Sequence, residues 1–412
     1  MKFKNQLKVI LFICSVSFTA FAQEKTTMYI NGRDIFTTCG EKVVLRGVNE
    51  MMIWSKDQTG TSILPEIAKT GANAVRLAWT TAGSATALDQ LITNCIKNNM
   101  IPIPELHDAT GKFALLQQCL DYWKKPEVVA VIQKHKKWVL VNIANEVGSG
   151  SETDLQFENY YKDAISQLRT AGYDMPLIID AGGWGNQERY VVNTGANLLK
   201  SDPLKKLIFS VHTYWGGSNQ NARLDKLVSD MKTANLAFII GEGPQKAATP
   251  QSCDALFPYI YLLDKFQTEG LGWLAWSWGA VDNNDCGAPQ SVFDITTDGT
   301  FLGLTDFGKE ISTTAKNSIK NTSVRPGSLV NGTCSITGKK DANFKKFDIK
   351  VFPNPNDGNF MIEGNLNGKW TLYNALGHYV VEGLTNSVDL KMMESGMYAL
   401  EANGDIYKVI IN

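Results

Sequence analysis

The sequence predicts an α/β protein, a (β/α)8 TIM barrel followed by a small all-β sandwich domain, on three observations. Short apolar runs such as residues 139–144 do not alternate apolar with polar, as expected of strands buried on both faces of a parallel sheet. These runs alternate with amphipathic helical stretches eight times within about 250–300 residues, which suits a closed barrel better than an open sheet. The alternation stops near Ser318, and from Phe347 the chain becomes short strands with turns at Asn356-Asp357-Gly358, Asn367-Gly368 and Asn403-Gly404.

In chain order, residues 1–22 combine a Lys-bearing start, an apolar segment and Ala20-Phe21-Ala22. This reads as a secretory signal peptide, too short for a stable membrane span. The catalytic domain is expected over 23–318. It opens with a hairpin over 28–42 that closes the bottom of the barrel, with turns at Asn31-Gly32 and Cys39-Gly40. The eight strands are expected at 43–49, 74–79, 101–107, 139–144, 176–180, 207–214, 237–243 and 272–278. Pro102 and Pro104 are awkward for a central strand. Between the second and third, Leu88, Leu91, Ile92, Cys95 and Ile96 share one helical face, with Ser84 as its cap. Residues 319–346, rich in Ser, Thr, Gly, Asn and Lys, read as a linker, and 347–412 as the sandwich.

The 412 residues carry a formal charge of −1, so no global field draws the chain to nucleic acid or anionic membrane. The 4 His include no metal-binding spacing; neither a metal nor a cofactor is expected, and the chain is expected to act as a monomer. The 10 Trp hint at stacking on sugar rings, although core packing suits any single one as well. Cys95 and Cys119 lie on apolar helix stripes and are expected buried and free, while other pairings stay open.

Polar residues gather where the apolar runs end, the rim on which barrels build active sites. Arg76, His107, Asn145, Glu146, His212, Tyr214, Glu242 and Trp276 all fall there. Glu146 and Glu242 are the two carboxylates that glycosidic cleavage needs, one as acid/base and one as nucleophile.

This ordered set resembles glycoside hydrolase family 5, in which an Arg, a His, an Asn-Glu pair, a His-x-Tyr, a second Glu and a Trp follow one another. The resemblance covers residues 30–311. His107-Asp108-Ala109-Thr110-Gly111, Gly183-Trp184-Gly185 and Ala275-Trp276-Ser277-Trp278 look most like the family's bacterial endo-β-1,4-mannanases. Gly182 departs from that pattern, where Pro is common, and so does Gly243-Pro244-Gln245, where Phe-Gly is more usual.

The resemblance implies double displacement on β-mannan or a related plant polysaccharide. Glu242 acts as nucleophile and Glu146 as acid/base. Arg76 and Tyr214 aim Glu242, Asn145 bonds the sugar 2-hydroxyl, and His212 orients Glu146. His107 and Trp276 shape the central subsite, with Trp184, Trp215 and Trp278 as flanking candidates. An endo-β-1,4-glucanase on the same barrel is the alternative, and a non-catalytic surface glycan-binding protein a more distant one. The tail, with Val351-Phe352-Pro353-Asn354-Pro355, Tyr373-Asn374-Ala375-Leu376-Gly377 and Lys408-Val409-Ile410-Ile411-Asn412, resembles the C-terminal sorting domain of type IX secretion. That implies the type IX machinery as a partner and a secreted or cell-surface location.

Overall fold

The structure, a computed structural model, describes residues 25–250, 252–283, 292–334, 349–364, 366, 369–374, 379–402 and 405–412. The expected signal peptide lies outside these. The chain divides into two units, residues 1–335 and 336–412.

In the first unit, eight parallel strands close into a barrel, each beside its neighbours in sequence. They are Arg46–Glu50, Ala74–Trp79, Ile101–Leu106, Val141–Asn142, Leu177–Asp180, Leu207–His212, Phe238–Glu242 and Gly272–Ala275. The two prolines fit because of where the ladder is thin. Pairing with the second strand runs the full length of the third, whereas the fourth meets it in register only at Glu105 and Asn142.

Successive side chains on a strand point to opposite faces, so every second residue enters the barrel. Ala74, Ile103, Leu140, Ile178 and Ile208 form an apolar lower layer with Leu274 and Ile239. Two residues further along the same strands stand Arg76, Glu105, Asn142, Asp180 and Ser210, all buried and polar. The floor is closed as expected. Tyr29–Asn31, Asp34–Phe36 and Lys42–Val43 form a small antiparallel sheet, and Met28, Ile35 and Val43 join the lower layer.

Helices cover the barrel. The one at Ala85–Lys97 is capped by Ser84, whose side chain accepts from the Ala87 N–H. That at Asp154–Thr170 opens with a capping box between Thr153 and Gln156. Cys95 and Cys119 are buried and free, and burial pushes both thiols upward.

One boundary needs correction. Residues 319–334, expected to start the linker, belong to the barrel unit. Short helices at Ile319–Thr322 and Gly327–Asn331 dock on it through polar contacts. Arg325 donates to the Ala68 and Ala72 carbonyls, Asn73 donates to that of Val324, and Ser328 bonds Glu41. A disulfide joins Cys39 to Cys334. Low apolar content concealed this segment because only Ile319 and Leu329 enter the apolar clusters, and polar groups and a covalent bond supply the other contacts named here.

In the second unit, Lys350–Phe352, Asn359–Glu363 and Ser387–Asp389 form one antiparallel sheet; Trp370–Asn374, Tyr379–Gly383, Gly396–Ala402 and Asp405–Ile411 form another. Phe360, Ile362, Leu372, Leu400 and Val409 fill its core with Trp370, whose indole N–H donates to the Thr385 carbonyl. Trp370 is therefore packed inside rather than offered to a sugar. Among the described residues, no helix is long and apolar enough to cross a membrane.

Candidate active site

Arg76, midway along the second strand, projects onto the barrel axis and organises the polar layer. Its Nη1 donates to Glu242 Oε1 at 2.7 Å and to Asn49 Oδ1 at 3.0 Å, and its Nε donates to Asn142 Oδ1 at 2.8 Å. Nη2 donates to Asn145 Oδ1 at 2.6 Å and Asp180 Oδ2 at 3.2 Å. One guanidinium thus links five strands, its own included. Burial acts against its charge, but Glu105, Asp180, Glu242 and Glu146 around it keep it protonated.

Glu242 ends the seventh strand, with one oxygen on Arg76 and the other accepting from the Tyr214 hydroxyl at 2.8 Å. Glu146 lies just past the fourth strand, where its backbone takes a φ of 47° and its N–H donates to Asp180 Oδ2 at 3.3 Å. Left-handed backbone at a glutamate is strained, and its surroundings hold it there. Gly111 N–H donates to the Glu146 carbonyl at 2.8 Å, and His212 Nδ1 lies 2.6 Å from Glu146 Oε1.

Gly185 roofs this pair. Its φ is +71°, and a Cβ there would stand 2.7 Å from His212 Nδ1 and 2.9 Å from Glu146 Cγ, so a side chain would displace both. Its carbonyl accepts the His212 backbone N–H at 2.9 Å.

The surroundings of the two carboxyls differ. Burial, then the charges of Glu242 and Asp180, push Glu146 well above the usual carboxylate range. Burial also raises Glu242, but Arg76, His107 and Tyr214 oppose it, so Glu242 ionises before Glu146. Burial, with Arg76 and His107 nearby, pushes His212 well below its ordinary value and keeps it neutral. Oxygens of Glu146 and Glu242 and a ring nitrogen of His212 lie within 4.8 Å of one another. Three such donors could hold a cation, but the Arg76 guanidinium already supplies positive charge at Glu242.

Asn145 Nδ2 donates to Thr110 Oγ1 at 2.9 Å, and His107 stacks toward Trp276 with centroids 6.2 Å apart. The Trp276 indole N–H donates to Asn283 Oδ1 at 3.0 Å. Trp184, half-exposed, lies over Gly111, where a Cβ would stand 2.6 Å from its ring. Trp278 does not reach the cleft. It is fully buried, with its N–H on the Gly299 carbonyl, and Trp215 is buried under Arg223. Both belong to the buried apolar cluster of the barrel unit, so the flanking-subsite expectation is withdrawn for them.

Gln245, one of the departures, is buried and clamps Thr213 through two hydrogen bonds, at 2.8 and 2.6 Å. It braces the turn between His212 and Tyr214.

Sequence reasoning missed Asn49, Glu105, Asn142 and Asp180, which complete the polar layer. The available signal was a polar residue at the inward position of an otherwise apolar strand.

Residues 37–282 match the family described as cellulase (glycosyl hydrolase family 5). The chain belongs to glycosyl hydrolase family 5. It is a glycoside hydrolase. Residues 350–412 match the secretion system C-terminal sorting domain, which marks the chain as secreted or cell-surface. A mannan endo-1,4-beta-mannosidase of Salipaludibacillus agaradhaerens is 31% identical over 295 residues, covering 69% of this chain and 90% of that relative. Another, of Cellvibrio japonicus (strain Ueda107), is 29% identical over 321 residues, covering 74% and 70%. Among solved structures, a β-mannanase from Thermomonospora fusca superposes with a TM-score of 0.66 at 25% identity, covering 74% of this chain and all 100% of that one. Its mannotriose complex scores 0.65 at the same 25% identity, with 74% and 100% covered.

Proposed function

We propose that this family 5 hydrolase is a retaining endo-β-1,4-mannanase acting on mannan, glucomannan or galactomannan, with Glu242 as nucleophile and Glu146 as acid/base. The observation that carries the reading is the close, unequal pair. Their oxygens approach within 4.8 Å, in keeping with the roughly 5–5.5 Å carboxyl separation of retaining enzymes. Arg76 and Tyr214 bond one member, and His212 bonds the other.

Glu242, ionised, attacks the anomeric carbon from the face opposite the leaving group, while protonated Glu146 gives its proton to the departing glycosidic oxygen. The glycosyl ester formed on Glu242 is cleaved when Glu146, now a base, takes a proton from water whose oxygen attacks the same carbon. Glu146 regains its proton and Glu242 its charge. The neutral His212 accompanies Glu146 through both steps without competing for positive charge. Mannan as substrate is supported by the two relatives, both mannan endo-1,4-beta-mannosidases, and by the mannotriose held in a related structure.

Purified protein assayed on mannan, glucomannan and carboxymethyl-cellulose tests the substrate. Mannan and glucomannan should be cut at internal bonds, with carboxymethyl-cellulose much slower. Faster cleavage of the cellulose derivative would make the chain a glucanase, and binding without cleavage would make it a glycan-binding protein.

A further inference from the structure

Glu105 lies on the third strand, and its carboxylate is fully buried. Oε1 receives His107 Nδ1 at 2.8 Å and lies 3.9 Å from Arg76 Nη1, while Oε2 has no hydrogen-bond partner among the described residues. A buried carboxylate with an unbonded oxygen is costly unless an opposite charge faces it. Arg76 already serves Glu242 at 2.7 Å and Asp180 at 3.2 Å, which leaves His107 as the close partner of Glu105.

His107 in turn reaches the cleft. Its side chain is 24% exposed, and Nε2 stands 3.4 Å from Asn145 Nδ2. Asn145 spends its Oδ1 on Arg76 and one amide hydrogen on Thr110, so one N–H remains. With a neutral His107 bonded through Nδ1–H to Glu105, Nε2 would be a lone pair and would absorb that last Asn145 N–H. With a charged His107, Nε2 carries a proton, and two donors 3.4 Å apart face the cleft together. A hydroxyl oxygen, with two lone pairs, accepts both.

We propose that Glu105 is a positioning residue that holds His107 as an imidazolium, so that His107 Nε2–H and Asn145 Nδ2–H converge on one hydroxyl oxygen of the sugar at the cleavage point. The proposal rests on the glycosidase reading above and extends it to a residue that touches no substrate. Its energetic logic is transition-state stabilisation, because a contact to a sugar hydroxyl beside the reacting carbon strengthens as charge develops there. The charged groups facing His107 act in both directions. Burial opposes its charge, Glu105 and Glu242 favour its proton, and Arg76 on the adjacent strand opposes it. The balance raises His107 above an ordinary histidine. His212, on the sixth strand, is neutral and adds no charge.

Ring-nitrogen NMR of the 15N-histidine-labelled protein, without substrate, reads this directly, since the chain has 4 His. In the parent, His107 should remain imidazolium beyond the ordinary histidine value of about 6.5. In Glu105→Gln, which keeps an acceptor for Nδ1–H but removes the charge, its titration should fall by about one pH unit or more. Glu105→Gln should also lower kcat on mannooligosaccharides roughly 10- to 100-fold with little change in KM.

Placed on a His107→Gln background, the same substitution should cost no more than about twofold further, because its effect travels through the imidazole. A neutral His107 in the parent at pH 6 overturns the proposal. So does an unmoved titration in Glu105→Gln, or a full additional loss on the His107→Gln background. Should Glu105→Gln not fold, the parent titration alone decides. A raised His107 titration in a protein that leaves mannan uncut would sink the substrate reading and keep this one.

Discussion

Tyr214 donates a hydrogen bond to Glu242, and a hydroxyl that bonds a carboxylate favours its ionised form. Activity needs Glu242 ionised and Glu146 protonated. It is therefore lost on the acid side as Glu242 takes a proton and on the alkaline side as Glu146 gives one up. In Tyr214→Phe the acid limb of kcat/KM should move to higher pH, with the maximum reduced about 10- to 100-fold. An acid limb that stays put or moves lower would contradict the pairing. The two glutamates separate by azide rescue. Glu146→Ala leaves Glu242 to form the glycosyl ester from an activated aryl glycoside, and azide entering the vacated space should give a β-glycosyl azide. Glu242→Ala forms no ester, and direct attack should give the α-azide. The same anomer from both variants would show the roles to be misassigned.

The loop after the eighth strand poses a question at the scale of elements. Glu50, closing the first strand, accepts from the backbone N–H groups of Met51 at 2.8 Å and Ala280 at 3.1 Å. Burial pushes its carboxyl up to about 8, and burial pushes neighbouring Asp294 up to about 7. Each binds its proton more tightly folded than unfolded, where carboxyls titrate near 4. The native state then holds more protons than the unfolded chain. The stabilising contribution is full below about pH 4 and drains away as pH rises to about 8. Glu50→Gln mimics the neutral form, so its Tm relative to the parent should improve steadily from pH 5 to pH 8. A difference that stays flat or worsens across that range would show Glu50 ionised in the fold.

What was legible in the sequence follows from where polar residues sit. Asn145, Glu146, His212, Tyr214 and Glu242 stand out because each breaks an apolar run at or near its end, and Arg76 because it puts a charge midway along one rather than at its close. Glu105 and Asn142 lie inside such runs, and only the alternation of side chains in and out of the barrel gives them a shared face. Trp278 misled because an aromatic beside a strand end serves core and cleft equally well, and burial alone separates them.

For the whole molecule, the corrected boundary has a mechanical consequence. The Cys39–Cys334 link spans 295 residues and fastens the last helices of the barrel unit to its floor. Closing a long loop typically contributes about 2–5 kcal/mol. A chain ending at Ser335 should keep full activity and Tm, since every proposed site residue precedes it. A chain ending at Ser318 loses the Arg325, Ser328 and Cys334 contacts and should melt several degrees lower while remaining active when folded. Equal melting of the two would return residues 319–334 to the status of a linker. In the native host, removing residues 350–412 should block export, and normal export without them would separate this tail from sorting.

The claim on which the account depends is that Glu242 forms a covalent bond to the sugar and Glu146 directs water to break it. Proton NMR of the first reducing ends released from a β-mannooligosaccharide, recorded before mutarotation, tests this most directly. Two inversions at one carbon restore the starting configuration, so the β-anomer should appear first and the α-anomer only as mutarotation proceeds. An initial α-anomer would mean a single direct displacement by water and would contradict the account.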